Sequence, residues 1–312
     1  MTKIAVLDDY QGVARSYADW SGLDITVFRD HQADQGRVIE RLKPFDVICA
    51  MRERTPLTRA VIEALPNLKL IVTTGMRNAS IDVDAARERG VMVCGTSGTN
   101  APTAELAMGL ILSLARSIPQ AGRDMRTGQW QKTVGRTLEG ATLGLLGLGR
   151  LGGAVASYAK AFNMNLIAWS QNLTEERAAE HGARLVDKAT LFREADFISV
   201  HLILSDRTRG LVTAADLASM KPDAYLVNTS RGPIVDEDAL LQALQAGRIG
   251  GAGLDVFGVE PLPADHPLRT MDNVVLTPHL GYVTDDTYRV FYPQTVECVR
   301  AWIAGAPVRV IS

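Results

Sequence analysis

Short apolar runs rich in Val, Ile and Leu alternate with helix-like stretches from one end of the chain to the other, the pattern of an α/β protein built on parallel sheets. In the first third the runs fall at 4–7, 25–28, 47–50, 68–72 and 91–94, punctuated by Pro44, Pro56, Pro66, Gly75 and Gly90. A second series falls at 142–146, 165–169, 197–201, 224–228, 253–257 and 274–277. Between the two series, residues 100–116 read as one unusually apolar helix, with Asn100 near its start, Pro102 tolerated in the first turn and Glu105 favourable there. So little polar surface predicts a helix packed between domains or at an oligomer interface. A last helix is predicted from Thr284 to Ala304, ending at Gly305. The stretch after Gly281 is too short to be a domain of its own, so it is expected to return to the first domain and make that domain discontinuous.

The length agrees: 312 residues is about twice the ~150-residue prior for one domain. The expected boundaries are 1–99 with 283–312 for one domain and 100–282 for the other. Basic and acidic residues number 33 and 35, a net charge of -2, which argues against an electrostatic hold on nucleic acid or anionic membrane. Gly109 and Ser113 interrupt the longest apolar stretch, which is too short to cross a bilayer. The start, MTKIAVLDDY, reads as a strand running into acids and lacks the features of a secretion signal. Cys49, Cys94 and Cys298 are odd in number, far apart and without CxxC spacing, so they read as reduced, mostly buried thiols of a cytoplasmic protein.

Chemistry enters at "LLGLGRLGG", where Gly147, Gly149 and Gly152 form GxGxxG. The bare pattern is weak evidence, but here it follows a predicted strand and opens a helix with apolar residues at Leu151, Val155, Tyr158 and Phe162. Gly147 permits a tight turn, Gly149 lets a pyrophosphate approach the backbone, and Gly152 allows close helix–strand packing. The next strand should end in an acid for the adenine ribose of NAD, yet the position holds Ser170, followed by Gln171 and Asn172. Without that carboxylate NADP is open as well as NAD, and the reading tips slightly to NADP, although the nearest cations are Arg150 and Arg177.

In open parallel sheets the ligand lies beyond the carboxyl ends of the strands. There the sequence places Thr229-Ser-Arg231-Gly, Asp255 with Glu260, and Pro278-His279-Leu-Gly281. Interconverting a 2-oxo and a 2-hydroxy acid needs such groups. A guanidinium grips a carboxylate and polarises the adjacent carbonyl, a histidine gives or takes the hydroxyl proton, and a carboxylate fixes the imidazole. Together "GLGRLG", "NTSRGPIVDEDALLQALQAG", "GAGLDVFGVEPLP" and "LTPHLGY" resemble the D-isomer-specific 2-hydroxyacid dehydrogenase family over nearly the whole chain. The resemblance implies a Rossmann cofactor domain inserted in a flavodoxin-like substrate domain, both doubly wound parallel-sheet α/β, with catalysis in the cleft between them. It implies that Arg231 binds the substrate carboxylate and carbonyl, Glu260 orients the imidazole and favours its charged form, and His279 is the acid/base. Asp255 would hold the nicotinamide carboxamide. The expected cofactor-binding set is Gly147, Gly149, Arg150, Leu151, Gly152, Ser170, Asn172, His201, Thr229, Asp255 and Gly281. A homodimer is implied, a use for the apolar helix and for Trp130. No histidines or cysteines have metal-ligand spacing, so no metal is expected. His31, His181 and His266 are read as solvated.

Two departures from the family pattern bear on the substrate. "TTGMRNASIDVDAA" resembles its substrate-binding turn, keeping Gly75 and Met76 but carrying Arg77 where a second glycine is usual. Arg77, with Arg52 of "MRERTP", is expected to meet a second negative group or polar tail on a small anionic substrate. Tyr282 replaces a small residue beside the histidine motif and could line the pocket. The leading expectation is a 2-oxo acid reductase of glyoxylate or hydroxypyruvate reductase type. The alternative is a non-catalytic NAD(H)-sensing scaffold or corepressor, and a methyltransferase is disfavoured by the converging arginine and histidine.

Overall fold

A computed structural model describes residues 1–98 and 101–312; Asn100, expected near the start of a helix, lies outside these. The chain divides into two compact units, Met1–Thr99 with Thr284–Ser312 as unit 1 and Asn100–Val283 as unit 2.

The first run of unit 1 alternates β1 (Lys3–Val6), α1 (Ala14–Tyr17), β2 (Asp24–Val27), α2 (Gln35–Leu42), β3 (Val47–Ala50), α3 (Arg59–Glu63), β4 (Leu70–Thr73), α4 (Val83–Glu88) and β5 (Met92–Gly95). Unit 2 opens with α5 (Ala101–Ala115) and α6 (Ile118–Arg126), then β6 (Thr142–Leu146), α7 (Arg150–Ala161) and β7 (Asn165–Trp169). It continues through α8 (Glu175–Glu180), β8 (Arg184–Leu185), α9 (Lys188–Glu194), β9 (Phe197–Val200), α10 (Ala214–Ser219) and β10 (Tyr225–Asn228). It closes with α11 (Glu237–Gln245), β11 (Gly251–Leu254) and β12 (Val274–Leu276), after which α12 (Asp285–Ile303) returns to unit 1.

Both sheets are parallel throughout. Unit 1 has the order β2-β1-β3-β4-β5, the flavodoxin-like winding. Unit 2 has the order β12-β11-β10-β9-β6-β7-β8, a Rossmann winding whose direction reverses between β6 and β9. Its central strands β6, β9, β10 and β11 are buried on both faces. Leu143, Leu145, Phe197 and Val227 pack towards α5 and α7, and Leu146, Ile198, Leu226 and Leu254 join Phe192 and Leu240 on the opposite side. That double burial is why the strands read as continuous apolar runs rather than alternating ones.

Three expectations change. The apolar run at 253–257 belongs to a strand lying earlier, at Gly251–Leu254. Its glycines look unlike a strand because a side chain does not fit: a methyl on Gly251 would lie 2.1 Å from the Asn273 carbonyl oxygen, and one on Gly253 would lie 3.1 Å from Leu110. Leu110 belongs to α5, which buries Ala104, Ala107, Met108, Leu110, Ile111 and Leu114, so its apolar character is satisfied in the core of unit 2 itself. The helix also stops at Ala115, because Ser117 adopts a left-handed φ of 49° and α6 begins anew with Pro119 in its first turn.

The last helix matches its signals. Thr284 caps it by accepting from the Thr287 N–H, Asp285 and Asp286 occupy the first turn, and Gly305 follows at φ 75°. Beyond it, residues 309–312 run antiparallel along the outer edge of β5. Gly95 N–H donates to Arg309 O, Ile311 N–H to Val93 O, and Val93 N–H to Ser312 O.

Candidate active site

The glycine loop leaves β6 next to the winding reversal. Gly147 has φ 102°, open to glycine, and a methyl there would press to 2.9 Å on the His201 backbone just beyond β9. A methyl on Gly152 would lie 2.2 Å from the Gly147 carbonyl oxygen, whereas nothing lies within 4 Å of one on Gly149. The first and third glycines thus lock loop against helix, and the second, as N-cap of α7, leaves its surface open where the helix presents free N–H groups. Buried nearby, the side-chain atoms His201 Nε2 and Thr229 Oγ1 have no hydrogen-bond partner among the described residues. Burial holds the His201 imidazole down at about 4. This is a cradle that a dinucleotide fits. Arg150 is exposed at the start of α7 with Leu151 partly buried behind it, and Ser170 follows β7 with Asn172 exposed beyond it.

The polar groups at the ends of β10, β11 and β12 are linked through their loops. Arg231 follows β10, with its Nη1 donating to Ser230 O at 2.7 Å and its carbonyl accepting from Asn228 Nδ2 at 3.0 Å. The next residue, Gly232, sits so close to the β11 loop that a methyl would lie 2.1 Å from the Phe257 carbonyl carbon. Phe257 N–H in turn donates to Glu260 Oε1 at 3.0 Å, and Glu260 Oε2 meets His279 Nδ1 at 2.6 Å. One carboxylate therefore ties its own loop and the imidazole together, which fixes ring orientation. His279 is itself left-handed, at φ 53°.

Asp255 has a role that residue types alone did not reveal. The register Leu254↔Leu276 makes Asp255 and Thr277 the next pair beyond the two strands, and Thr277 Oγ1 donates to Asp255 Oδ1 at 2.6 Å. Leu280 N–H donates to the same oxygen and Gly281 N–H to Oδ2, at 2.6 and 2.9 Å. Burial pushes the Asp255 carboxyl up, against the pull of these donors and of His279. Thr103 of α5 closes the turn from the other side, donating to Gly281 O at 2.8 Å. A carboxylate and a threonine in register at adjacent strand ends was the available signal for the first of these contacts; Thr103 carried none. Tyr282 stands edge-on to His279 with ring centroids 5.9 Å apart.

In unit 1, Gly75 has φ 89° and donates its N–H to Thr96 Oγ1. The Arg52 guanidinium lies over it: Arg52 Nη1 donates to Thr74 O at 3.0 Å, and a methyl on Gly75 would overlap that nitrogen at 2.1 Å. Met76 and Arg77 are exposed beside it, and Asn78 bonds Arg52 O and Thr73 Oγ1. Two other histidines correct the sequence reading. His31 is nearly buried against Asp8, which also accepts from Thr55, and His266 caps Leu268 N–H and faces Glu237. Their surroundings in sequence are polar, and their acidic partners Asp8 and Glu237 are too distant in sequence for a local pattern to announce them. Among the described residues, no group of His, Cys, Asp and Glu could hold a metal ion, and no helix is long and apolar enough to cross a membrane.

Residues 108–281 match the model of the D-isomer specific 2-hydroxyacid dehydrogenase NAD binding domain. The chain belongs to that family. It is 40% identical over 272 residues to the hydroxypyruvate reductase of Thermotoga maritima, covering 85% of this chain and 87% of that one. It is 38% identical over 278 residues to the D-3-phosphoglycerate dehydrogenase of Synechocystis sp., covering 88% of this chain but 50% of that relative. It thus spans about half the length of that curated relative. The solved structure of phosphoglycerate oxidoreductase from Vibrio cholerae O395 superposes with a TM-score of 0.93 at 41% identity, covering 98% and 100% of the two chains. A nicotinamide cofactor follows from the matched domain; the tilt towards NADP finds no support there, since the model describes an NAD-binding domain.

Proposed function

We propose that the chain is an NAD-dependent reductase of small anionic 2-oxo acids, working also in reverse on D-2-hydroxy acids. The observation that carries this is the 2.6 Å His279–Glu260 pair at the end of β12, on a loop chained to Arg231. Arg231 holds the substrate carboxylate and polarises its carbonyl. His279, held at Nδ1 by Glu260, delivers a proton from Nε2 to the carbonyl oxygen, or removes the hydroxyl proton in reverse. The nicotinamide, when bound, supplies or accepts the hydride. Gly147, Gly149, Arg150, Leu151 and Gly152 hold its pyrophosphate, Ser170 and Asn172 its adenine ribose, and His201, Thr229 and Gly281 line its path. Asp255, already engaged by Thr277, Leu280 and Gly281, fixes the turn that carries His279 and offers its remaining lone pairs to the carboxamide.

Following NADH and NADPH oxidation separately over a panel of 2-oxo acids tests the reading. Turnover is expected with NADH, and His279→Ala should lose about 10²–10⁴-fold in kcat/KM with cofactor affinity nearly unchanged. No turnover by folded, cofactor-binding protein would replace this reading with a scaffold.

The substrate turn of unit 1 points to a second negative group or polar tail on the substrate. The Met76 backbone N–H beside Gly75, with Arg52, receives the carboxylate, and exposed Arg77 receives the tail. Arg77→Ala should cost about tenfold more catalytic efficiency on a dianionic than on a monoanionic 2-oxo acid, the scale of one charge-assisted hydrogen bond. Equal losses would remove the role.

A further inference from the structure

Two carboxylates grip the turn that follows β11, through adjacent amides. Phe257 N–H donates to Glu260 Oε1 at 3.0 Å, and Gly258 N–H donates to Glu237 Oε2 at 2.9 Å. Glu260 is the carboxylate that meets His279. Glu237 reaches in from the first turn of α11. An acid at that position ordinarily answers to the helix dipole. Here Asp236 already caps the helix, accepting from Ala239 N–H at 3.0 Å, and the Glu237 carboxylate is turned to the neighbouring loop instead. Gly258 leaves room for it, since a methyl there would lie 3.2 Å from Glu237 Oε2.

His266 stands behind the other oxygen. Its Nδ1 accepts from Leu268 N–H at 3.3 Å. A backbone N–H can only donate, so a neutral ring carries its proton on Nε2, and that atom faces Glu237 Oε1 at 3.4 Å. Farther along the same loop, Arg269 donates to the Leu262 and Pro263 carbonyls. The stretch bearing Glu260 is thus pinned on both sides, by Glu237 before it and by Arg269 after it.

The grip also joins two strand ends. α11 follows the segment that carries Arg231, and Gly232 of that segment packs on the same turn: a methyl there would lie 2.1 Å from the Phe257 carbonyl carbon and 2.6 Å from Gly258 N. Glu237 adds a polar tie to that backbone contact. Glu260 is a flexible side chain anchored on the Phe257 amide, so it can hold the imidazole only as firmly as the turn itself is held.

We propose that Glu237, backed by His266, is a positioning residue for the Glu260–His279 pair. By fixing the turn at Phe257 and Gly258 it keeps Glu260 within hydrogen-bonding distance of the imidazole, and it acts through Glu260 rather than on the substrate. Its effect on rate rests on the reductase reading above; its effect on geometry does not.

Glu237→Ala removes the grip on Gly258, whereas Glu237→Gln keeps an acceptor for that amide. In steady-state kinetics of the full chain with NADH and hydroxypyruvate, Glu237→Ala should lower kcat about 10–100-fold, the scale of a reacting group displaced by up to ~1 Å. The KM for NADH should stay nearly unchanged, and Glu237→Gln should recover most of the loss. A merely structural Glu237 would lower the denaturant midpoint of Glu237→Ala and leave kcat of the folded protein as in wild type. The geometry is read without turnover from the proton between His279 and Glu260, a downfield NMR resonance assigned by its loss in His279→Ala. It should persist in Glu237→Gln and be lost in Glu237→Ala. A folded Glu237→Ala that keeps either this resonance or the wild-type kcat would overturn the proposal. Loss of the resonance in Glu237→Ala, from a wild type that turns over no 2-oxo acid, would overturn the reductase reading and leave the positioning role standing. Should Glu237→Ala not fold, His266→Asn keeps an acceptor for Leu268 N–H, withdraws the ring from Glu237 and is judged by the same two readouts.

Discussion

His201 lies beside the glycine loop, where a protonated imidazole is not tolerated, since burial holds it down at about 4. An unfolded histidine titrates near 6.5. Between those values the unfolded chain binds a proton that the folded one refuses, so the stability this residue contributes is whole above pH 6.5 and is lost as pH falls towards 4. Urea titrations at pH 7 and pH 5 should differ by about 2 kcal/mol more in wild type than in His201→Asn. A variant with the same difference would show that the imidazole is charged in the fold. At this scale the sequence is legible in residue type and illegible in conformation. "HLGY" and "SRG" announce groups at strand ends, and Glu260 meets His279 as the resemblance implies. The left-handed φ of His279 and the grip of Asp255 on the turn depend on register between β11 and β12, which no local pattern encodes.

Among elements, the base of unit 2 depends on one carboxylate. Asp196, just before β9, accepts from Thr142 N–H at the start of β6 and pairs with Arg136 and Lys221 at 2.6 and 2.8 Å. Burial pushes its carboxyl up, and the Lys221, Thr142 and Arg136 contacts more than reverse that, leaving it below the ordinary range. Its contribution is therefore present above about pH 4, the unfolded value, and drains away as pH falls through the depressed one. Asp196→Asn strands two cations at a nearly buried site and should cost about 3 kcal/mol, read from the denaturant midpoint at pH 7; a loss within ~0.5 kcal/mol would mean the cations find water instead. The strands of this sheet were legible where Val, Ile and Leu fill both faces. They were illegible at β11, where glycine is demanded by Leu110 above and Asn273 beside, and at β8, whose two residues carry too short a pattern.

For the molecule as a whole, the two sheet orders follow from alternating strand and helix signals, because parallel neighbours need crossovers and crossovers have one hand. What the pattern could not assign is which helix faces outward. The apolar α5 is interior, and a group of exposed apolar side chains lies just after it. Ile118, Met125, Trp130 and Val134 are 53%, 57%, 70% and 100% exposed. We propose that a second copy of the chain covers them, and sedimentation should find a dimer that Trp130→Ser with Val134→Ser shifts towards monomer. A monomeric wild type at micromolar concentration would leave that surface to some other partner. The strip at 309–312 has a consequence of a different kind. An open parallel sheet ends in a row of unsatisfied amides and carbonyls, a template for strand addition and aggregation. On unit 1 these residues occupy that row along β5 through Gly95, Val93 and Ile311. A proline at Ile311, unable to donate to Val93, would loosen the cover, so the segment guards solubility as much as it completes the fold.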